Sequence, residues 1–207
     1  MFTGIVQGVG RIRGIEPRGG DATYWIETGD VPLSELGIGA SIAVNGACLT
    51  ATRLEAHAFA ADLSRETLSL TTLGGLGAGA RVNIEKALVA GQPLGGHYVT
   101  GHVDGVGHVV SRHDDARSVR VEFEVPEALA RYVARKGSVC VDGVSLTVNG
   151  VDGRRFDVNL VPHTLTVTTL GDLAPGRAVN LEVDIIARYL ERMLESAPGA
   201  SGDLPRG

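Results

Sequence analysis

Two stretches of the sequence place a nucleophilic group two residues before a threonine. They are NGACLT, starting at residue 45, and DGVSLT, starting at residue 142. Side chains two residues apart on a strand point to the same side, so Cys48 lies beside Thr50. Ser145 lies beside Thr147 in the same way. Such groups can bind a polar ligand or act as nucleophiles, although a hydroxyl beside a turn can equally well satisfy a local backbone group. Their recurrence favours a ligand-binding role.

A histidine replaces an isoleucine in an otherwise closely copied segment. TGHVDGVG at 100–107 matches TGIVQGVG at 3–10 at six of eight positions, with His102 in place of Ile5. An imidazole titrates near neutral pH, so His102, predicted at the start of a strand, is a candidate proton shuttle. His97 would face the opposite side of an extended strand. With no nearby Cys or Glu to complete a ligand shell, we expect no metal site.

Other function classes find little support. A GxSxG elbow is absent, and the GGLGAG run at 74–79 lacks the Lys and Ser or Thr of a phosphate-binding loop, which favours a structural turn. The net charge is −5 and the 19 Lys and Arg are scattered, so we expect no nucleic-acid partner. No apolar run approaches the roughly 18 residues of a membrane span and no secretion signal is visible, so we expect no membrane partner and a cytoplasmic location.

An internal repeat determines the predicted domain organisation. A shift of 97 residues aligns TGIVQGVG with TGHVDGVG and SIAVNGACLTA with SVCVDGVSLTV. The same shift aligns ETLSLTTLGGLGAGARVNIE with HTLTVTTLGDLAPGRAVNLE. Three separated blocks in one gap-free register indicate two homologous domains, about 3–88 and 100–185, joined by LVAGQPLGGH.

Short runs of alternating or β-branched residues predict strands in both copies. The runs are YWIET, SIAVN, CLTATRL and RVNIEKA in the first copy and VRVEFEV, SVCVD, SLTVNGV and RFDVNLV in the second. The dipeptides Asn45 with Gly46 and Asp142 with Gly143 predict type I′ hairpin turns. Six or so strands per copy, with small helical turns in ETLSLTTLG and HTLTVTTLG, favour a closed barrel.

Two further helices are predicted outside these strands. PEALARYVAR at 126–135 begins with a proline suited to a first helical turn. DIIARYLERML at 184–194 begins with Asp184 as N-cap, and we expect its apolar stripe to pack on another surface, such as another subunit. The stripe consists of Ile185, Tyr189, Leu190 and Met193. The Gly-, Pro- and Ser-rich stretch at 195–207 is predicted to be disordered.

Six motifs resemble the riboflavin synthase family of the α-chain type along nearly all of residues 1–194. They are MFTGIVQGVG, VNGACLT, ETLSLTTLG, GGHYVTGHVDGVG, KGSVCVDGVSLTV and PHTLTVTTLGDL. The resemblance implies an all-β fold of two tandem homologous six-stranded closed β-barrels of Greek-key type plus a C-terminal α-helix. It places an N-terminal lumazine-binding barrel at 1–97, a C-terminal one at 98–185, and a trimerisation helix with a flexible tail at 186–207.

The resemblance also implies a reaction. Enzymes of this family are transferases that bind two molecules of 6,7-dimethyl-8-ribityllumazine per site and move a four-carbon unit from one to the other. The products are riboflavin and 5-amino-6-(D-ribitylamino)uracil, in the last step of riboflavin biosynthesis, and no metal or organic cofactor is implied. The active site is expected between the N-terminal barrel of one subunit of a homotrimer and the C-terminal barrel of its neighbour. Lumazine synthase is an open candidate partner.

Matching the family motifs residue by residue gives the expected site. The catalytic candidates are His102, Cys48, Ser145, Thr147, Asp184 and Ser41. The N-barrel site would use Gly4, Ile5, Val6, Ser41, Cys48, Leu49, Thr50, Asp62, Leu63, Ser64, Arg65, Glu66 and Thr67. The C-barrel site would use Gly101, His102, Val103, Asp142, Ser145, Leu146, Thr147, Val161, Pro162, His163, Thr164, Leu165, Thr166 and Asp184, with Lys136 at the seam. Ser64 departs from many relatives, so its side chain receives no specific role.

The residues leave several roles open. The nucleophile is water, a substrate hydroxyl or Cys48, and Asp184 acts either in the chemistry or as a helix cap. A non-catalytic lumazine- or flavin-binding antenna protein of the same fold is an alternative, as is a transport barrel for an unrelated ligand. Retention of His102, Cys48 and both LT hairpins favours the enzyme. Differences between the copies, such as Ala87 against Asp184, predict that the copies divide their roles.

Overall fold

Twelve strands form two closed antiparallel β-barrels of six strands each. The structure is a computed structural model that describes residues 1–195. The tail predicted to be disordered lies, from residue 196 onward, outside the described residues. In both barrels, the hairpin strands alternate between side chains that fill the interior and side chains that face outward, which is the period-two pattern expected of a strand with one buried face.

The N-terminal barrel closes in the order β1-β2-β5-β4-β3-β6. Its strands are β1 (Gly8–Arg18), β2 (Asp21–Glu27), β3 (Ser41–Val44), β4 (Ala47–Leu54), β5 (Ala58–Leu63) and β6 (Arg81–Lys86). The C-terminal barrel closes as β10-β11-β8-β7-β12-β9. Its strands are β7 (Gly105–Asp115), β8 (Ser118–Glu124), β9 (Ser138–Val141), β10 (Val144–Asp152), β11 (Arg155–Leu160) and β12 (Ala178–Val183). Both rings have the same connectivity, which confirms the predicted fold of two homologous barrels.

Short helices follow equivalent strands in the two barrels. They are α1 (Arg65–Leu70) with a 3₁₀ turn at Thr72–Gly75, and α3 (Pro162–Val167) with a 3₁₀ turn at Thr169–Asp172. The predicted helix at 126–135 is shorter than expected, since α2 spans only Glu127–Ala130. Beyond it the chain tightens into i to i+3 bonds, with the Tyr132 N–H donating to the Leu129 carbonyl at 3.1 Å. This tighter path buries Leu129 and Val133. The last helix, α4, spans Ile185–Glu195 as predicted.

Each barrel has its own apolar core. Ile26, Ile42 and Phe59 are completely buried in the N-terminal barrel. Phe123 and Phe156 are buried in the C-terminal barrel, where their ring centroids lie 5.3 Å apart. Burial of one such side chain contributes ~1.5–3 kcal/mol to folding. Because the interiors are filled by apolar side chains, a polar ligand would bind outside the two barrel cores.

The two predicted hairpin turns meet tip to tip at that seam. Asn45 and Gly46 have φ of 46° and 79°, and Asp142 and Gly143 have φ of 45° and 83°, as a type I′ turn requires. A Cβ added to Gly46 would lie 2.8 Å from the backbone nitrogen of Gly143. Glycine is therefore required here both for the left-handed backbone and for the close approach of the two barrels.

Two asparagines tie the hairpin tips to the opposite barrel. The Asn83 Nδ2 donates to the Asp142 carbonyl at 2.7 Å, and the Asn180 Nδ2 donates to the Asn45 carbonyl at 2.9 Å. The Asn180 Oδ1 accepts from the Thr72 N–H at 2.7 Å. In the other copy, the Asn83 Oδ1 accepts from the Thr169 N–H at 2.8 Å. These side chains are buried, so each bond that opens would leave a buried group unsatisfied, at a cost of ~1–3 kcal/mol.

We expect Asp142→Asn to stabilise the protein above pH 7. Asp142 is buried, and desolvation raises the pKa of its carboxyl to about 7, against the opposing effects of the Asn180 N–H and Arg177. An acid whose pKa rises on folding favours the folded state at low pH, and this contribution is lost as pH climbs from the unfolded pKa of about 4 towards 7. The wild-type free energy of unfolding should therefore fall over that range, on the order of a few kcal/mol, and the variant should not share this fall. Urea denaturation at pH 5 and pH 8 measures the difference.

Asn45 provides a matched control, because its Oδ1 accepts from the Asn83 N–H at 2.7 Å in the equivalent setting. Asn45→Asp should add a second fall in stability over the same pH range. The same pH slope for wild type and Asp142→Asn would show that Asp142 does not titrate in this range.

Candidate functional site

The chain segments that lead into the two barrels cross each other. Phe2 and Val99 form an antiparallel bridge, with the Phe2 N–H donating to the Val99 carbonyl at 2.7 Å and the Val99 N–H donating back at 3.2 Å. Both residues are at most 1% exposed. We call the residues that follow them crossing segment 4–6 and crossing segment 101–103. Their positions are fixed by this buried contact.

Each crossing segment docks on the other barrel. The Gly4 carbonyl accepts from the Ser145 N–H at 2.7 Å, and the Gly101 carbonyl accepts from the Cys48 N–H at 2.8 Å. Both glycines have positive φ, 73° and 82°, and an added Cβ would lie 2.6 Å from the Cβ of Ser145 or Cys48. Only glycine allows this close contact between a segment and a strand.

This exchange corrects the grouping predicted from the sequence. The sequence assigned segment 4–6 to the N-barrel site and segment 101–103 to the C-barrel site. In the structure, Val6 packs against the core of the C-terminal barrel and Val103 against the core of the N-terminal barrel. The crossing is a contact between residues almost a hundred positions apart, so local sequence patterns do not contain it.

A buried glutamate anchors each crossing segment. Glu85 accepts from the Thr3 N–H and Oγ1 at 2.7 Å each and from the Gly4 N–H at 3.1 Å. Glu182 receives the three equivalent bonds from residues 100–101 at 2.6, 2.8 and 3.0 Å. Both glutamates are 4% exposed, and burial raises the pKa of each carboxyl while the donors act in the opposite direction. Neither glutamate was predicted as a site residue from the sequence, although both fall in the aligned blocks.

The N-barrel half-site is a cavity of about 190 Å³ between β4, α1 and crossing segment 101–103. Its functional side chains are those of Cys48, Glu66, Thr67 and His102. His102 is exposed and lies before β7, which begins at Gly105, so the prediction that it starts a strand is wrong. The cavity brings a thiol, a carboxyl, a hydroxyl and an imidazole together, a set that can bind a polar ring and transfer protons.

Cys48 is the thiol that faces this cavity. Its neighbour in β4, Leu49, points into the barrel and is 4% exposed, which confirms the alternation expected of the strand. Cys140 is buried, and this desolvation raises the pKa of its thiol well above the usual range. The negative charges of Glu182 and Glu85 raise the pKa further. A thiol in that setting stays protonated and is a poor nucleophile, whereas Cys48 remains accessible.

The C-barrel half-site pairs Ser145 with a histidine. The His97 Nδ1 lies 2.6 Å from the Ser145 Oγ, and His97 is 8% exposed. Burial lowers the pKa of the imidazole, while the negative charge of Asp184 raises it. A largely neutral imidazole in contact with a hydroxyl can accept its proton, and the nearby carboxylate stabilises the imidazolium that results. The buried His97 Nε2 has no hydrogen-bond partner within residues 1–195.

From the sequence, His97 was a candidate only for metal binding, and its pairing with Ser145 was not predicted. His97 lies outside the three aligned blocks of the repeat, so the comparison of the copies did not draw attention to it. The preceding Gly96 is a local signal, since a Cβ there would lie 2.9 Å from the Ser145 Cβ. In the described residues, His, Cys, Asp and Glu side chains form no group of three that could hold a metal ion.

The remaining N-barrel candidates lie outside the lining of this cavity and differ in their exposure. Ser41 is half-buried and pairs with Thr50 across β3 and β4, and Thr50 is exposed. The Asp62 carboxylate accepts from the Thr23 hydroxyl at 2.6 Å. Ser64 caps α1, because its Oγ accepts from the Thr67 N–H at 3.2 Å. Arg65 and Ile5 are exposed, and Leu63 is buried in the barrel interior.

The remaining C-barrel candidates do not lie together. Thr147 is exposed on β10 and Leu146 is buried. Val161, Pro162, His163 and Thr166 are exposed on or beside α3, and Thr164 and Leu165 are half-buried. Lys136 is exposed, with its N–H bonded to the Val148 carbonyl at 2.8 Å. Asp142 lies at the seam instead of the half-site, because its carboxylate accepts from the Asn180 N–H at 2.8 Å. Asp184 caps α4 through a 3.0 Å bond to the Ile186 N–H and also influences His97.

A further cavity, of about 640 Å³, lies between the barrels near the hairpin tips. Its charged side chains are Arg81, Asp142, Asp172 and Arg177, and Arg81 pairs with Asp172. These groups are mostly engaged with one another, and the cavity lacks the thiol, serine and imidazole of the barrel ends. We therefore place the candidate site at the two half-sites.

Comparisons with known proteins agree with this organisation. The lumazine binding domain family matches the chain twice, at residues 3–87 and 100–184. A solved structure of LumP complexed with riboflavin has a TM-score of 0.81 and 28% identity, covering 88% of this chain and 99% of that chain. LumP complexed with 6,7-dimethyl-8-(1'-D-ribityl) lumazine gives a TM-score of 0.78 at 27% identity, with the same coverage. The fold and the half-sites thus define a tandem-barrel protein of the lumazine-binding class.

Curated relatives narrow that class. Riboflavin synthase of Mycobacterium bovis is 46% identical over 201 residues, covering 95% of this chain and all of that protein. The enzymes of Photobacterium phosphoreum and Bacillus subtilis are 45% and 36% identical, covering 94% and 95% of this chain and 89% and 91% of their own lengths. The chain belongs to the riboflavin synthase family. None of the helices in the described residues has the length and apolar character needed to cross a membrane.

We expect Asp184→Asn to lower the pKa of the His97 imidazole. The negative charge of Asp184 raises the pKa of His97, whereas burial lowers it. Without the charge, the lowering effect of burial is no longer opposed by Asp184. Titration of the His97 ring by NMR measures the change, and Asp184→Glu, which keeps the charge, serves as the control. An unchanged His97 titration in Asp184→Asn would show that the carboxylate does not act on the imidazole.

Proposed function

We propose that this chain catalyses the dismutation of two 6,7-dimethyl-8-ribityllumazine molecules into riboflavin and 5-amino-6-(D-ribitylamino)uracil, as a transferase. The observation that carries the proposal is the pair of repeat-related half-sites with different groups. One contains Cys48 and His102, and the other contains Ser145, His97 and the nearby Asp184. Membership of the riboflavin synthase family supports it.

The reaction needs two identical heterocycles in different chemical roles. One loses a proton from its C7 methyl group and the other accepts a nucleophile, after which a carbon–carbon bond forms between the rings. The conjugation of the substrate delocalises the carbanion, so the main task of the protein is to hold the rings in the required orientation. Positioning of this kind is worth ~7–11 kcal/mol of the barrier. Two non-identical half-sites suit two roles.

Specific residues fit these steps. His102 is exposed at the mouth of the N-barrel cavity, where it can shuttle a proton. Cys48 faces the same cavity and is a candidate nucleophile, as water and a substrate hydroxyl are. In the C-barrel half-site, His97 can polarise the Ser145 hydroxyl across their 2.6 Å contact. Backbone amides and hydroxyls at the barrel ends would bind the ring carbonyls and the ribityl chain.

The non-catalytic antenna protein is the less favoured function. LumP structures match the fold at 27–28% identity, whereas proteins named riboflavin synthase match at 36–46% over nearly the whole chain. Polar groups are kept in both half-sites, as a two-substrate reaction requires. We propose a cytoplasmic location, in keeping with the substrate class.

Incubation of the purified protein with the lumazine should yield riboflavin, which is detected by its fluorescence. We expect His102→Gln to lower kcat by about 10²–10⁴-fold, the usual contribution of a general acid or base. His113→Gln, at an exposed position on β7, is the control and should retain wild-type turnover. Tight lumazine binding by the wild type without product would support the antenna function instead.

We also propose that the active site is completed between copies of the chain in a homotrimer. The polar side of α4 faces its own barrel, where Glu191 pairs with Arg131 at 2.9 Å and Arg188 pairs with Asp104. The opposite side is apolar and more than half exposed at every position. Its residues are Ile186, Tyr189, Leu190, Met193 and Leu194. A continuous apolar face of this kind indicates a protein contact, and other copies of the chain are the proposed occupants.

Leu190→Glu tests the trimer. The added charge would have to be buried, so we expect the assembly to fall from three times the 21.6 kDa chain mass to a single chain, measured by sedimentation or light scattering. Turnover should be lost together with assembly. Val151→Glu, at an exposed apolar position on β10, is the control. A fully active single chain would refute a site shared between copies.

A further inference from the structure

The two buried glutamates hold their segments in the same way, but the segments carry different chemistry. Glu182 holds the segment that contains His102, and Glu85 holds the segment that contains Ile5 at the equivalent position. Each carboxylate accepts three hydrogen bonds between 2.6 and 3.1 Å. Two residues after the threonine that each glutamate binds, the segment held by Glu182 has the imidazole of His102. The segment held by Glu85 has the apolar side chain of Ile5 at that position.

Glu182 connects to His102 through one intermediate residue. The Thr100 hydroxyl donates to Glu182 at 2.8 Å, and its oxygen accepts from the His102 N–H at 3.3 Å. The carboxylate thus fixes the direction of the hydroxyl, and the hydroxyl holds the histidine backbone. Within residues 1–195 no hydrogen bond to the His102 ring is found, so the placement of the imidazole depends on its backbone.

The chain just after His102 is also held in place, through Asp104. Asp104 accepts from the Val183 N–H at 2.7 Å, next to Glu182 in β12, and pairs with Arg188 of α4. In the other copy, Gln7 takes the place of Asp104 and accepts from the Lys86 N–H at 3.0 Å. The His102 anchor is therefore connected to the C-terminal helix, while the Ile5 anchor has no such charged link among the described residues.

We propose that Glu182 is a positioning residue of the reaction, which acts through Thr100 to hold His102 at the mouth of the N-barrel half-site. It does not touch substrate, since it is 4% exposed beneath the segment. The inference rests on the proposed function, because it concerns the productive placement of a proton-transferring group. Burial raises the pKa of Glu182, yet three donors aimed at its oxygens favour the carboxylate as the acceptor they require.

Glu182→Gln provides the first test. Glutamine has the same shape but replaces one acceptor oxygen with an NH₂ group, which would face a backbone or hydroxyl donor. We expect kcat to fall by about tenfold to a hundredfold through misplacement of His102, with a much smaller change in KM. Glu85→Gln is the matched control: it should lower Tm by a similar amount, with a kcat loss at least about tenfold smaller than that of Glu182→Gln. Equal kcat losses at equal Tm would assign both glutamates a purely structural role.

The threonine tests the same connection if Glu182→Gln fails to fold. Thr100→Val removes the hydroxyl that links Glu182 to His102, whereas Thr100→Ser keeps it. We expect Thr100→Val to reproduce the kcat loss and Thr100→Ser to restore kcat to within about threefold of wild type. Equal activity in the two variants would contradict the proposed connection.

A double-mutant cycle separates this inference from the proposed function. In a His102→Gln background, Glu182→Gln should lower kcat by less than about twofold, because the group that it positions is absent. Additive losses would overturn the positioning role while leaving riboflavin formation intact. Exchange of the His102 backbone amide, followed by NMR, should be at least about tenfold faster in Glu182→Gln, and this readout does not depend on turnover. Unchanged exchange would overturn the inference even in a chain that formed no riboflavin.

Discussion

The antiparallel contact between Phe2 and Val99 is the constraint on which both half-sites depend. It joins two residues that are nearly inaccessible to solvent through a pair of backbone hydrogen bonds. Because the two segments cross there, each continues to the barrel of the other repeat, where Gly4 and Gly101 dock. Neither barrel therefore contains all the residues of its own half-site. The duplication produced two barrels, but a half-site is a product of both repeats in one chain.

Reciprocal burial of polar groups keeps this arrangement closed. Asn83 and Asn180 each reach from one barrel to a hairpin tip of the other, and Glu85 and Glu182 each satisfy three donors of a crossing segment. Separation of the barrels would break the bonds of Asn83 and Asn180 to the opposite hairpin tips together, and the freed groups would then be hydrated. Such interactions contribute specificity more than net stability, since the unfolded chain forms equivalent bonds with water. The seam is therefore fixed in register, and the mouths of both barrels are fixed with it.

The sequence predicted what depends on local patterns and on the repeat. The strand positions, the type I′ turns with Gly46 and Gly143, and the closure into two barrels follow from alternation, turn chemistry and the shared register. The crossing could not be predicted in this way, because Phe2 and Val99 are brought together by tertiary structure alone. For the same reason, segments 4–6 and 101–103 were assigned to the wrong barrels. His97 was missed because it lies outside the aligned blocks of the repeat, and the helix after Pro126 is short because tertiary burial overrides its propensity.

The two copies share a framework and differ where side chains face the half-sites. The glycines, threonines and glutamates that hold the crossing segments occur in both, whereas Ile5 is matched by His102 and Cys48 by Ser145. A perfectly symmetric pair of barrels would offer two identical substrates identical surroundings, and neither would be favoured as donor or acceptor. Different side chains on one backbone framework remove that equivalence without changing the distances that the framework sets. The asymmetry is small in residue number, yet it lies where the proposed reaction needs two bound molecules of one compound to behave differently.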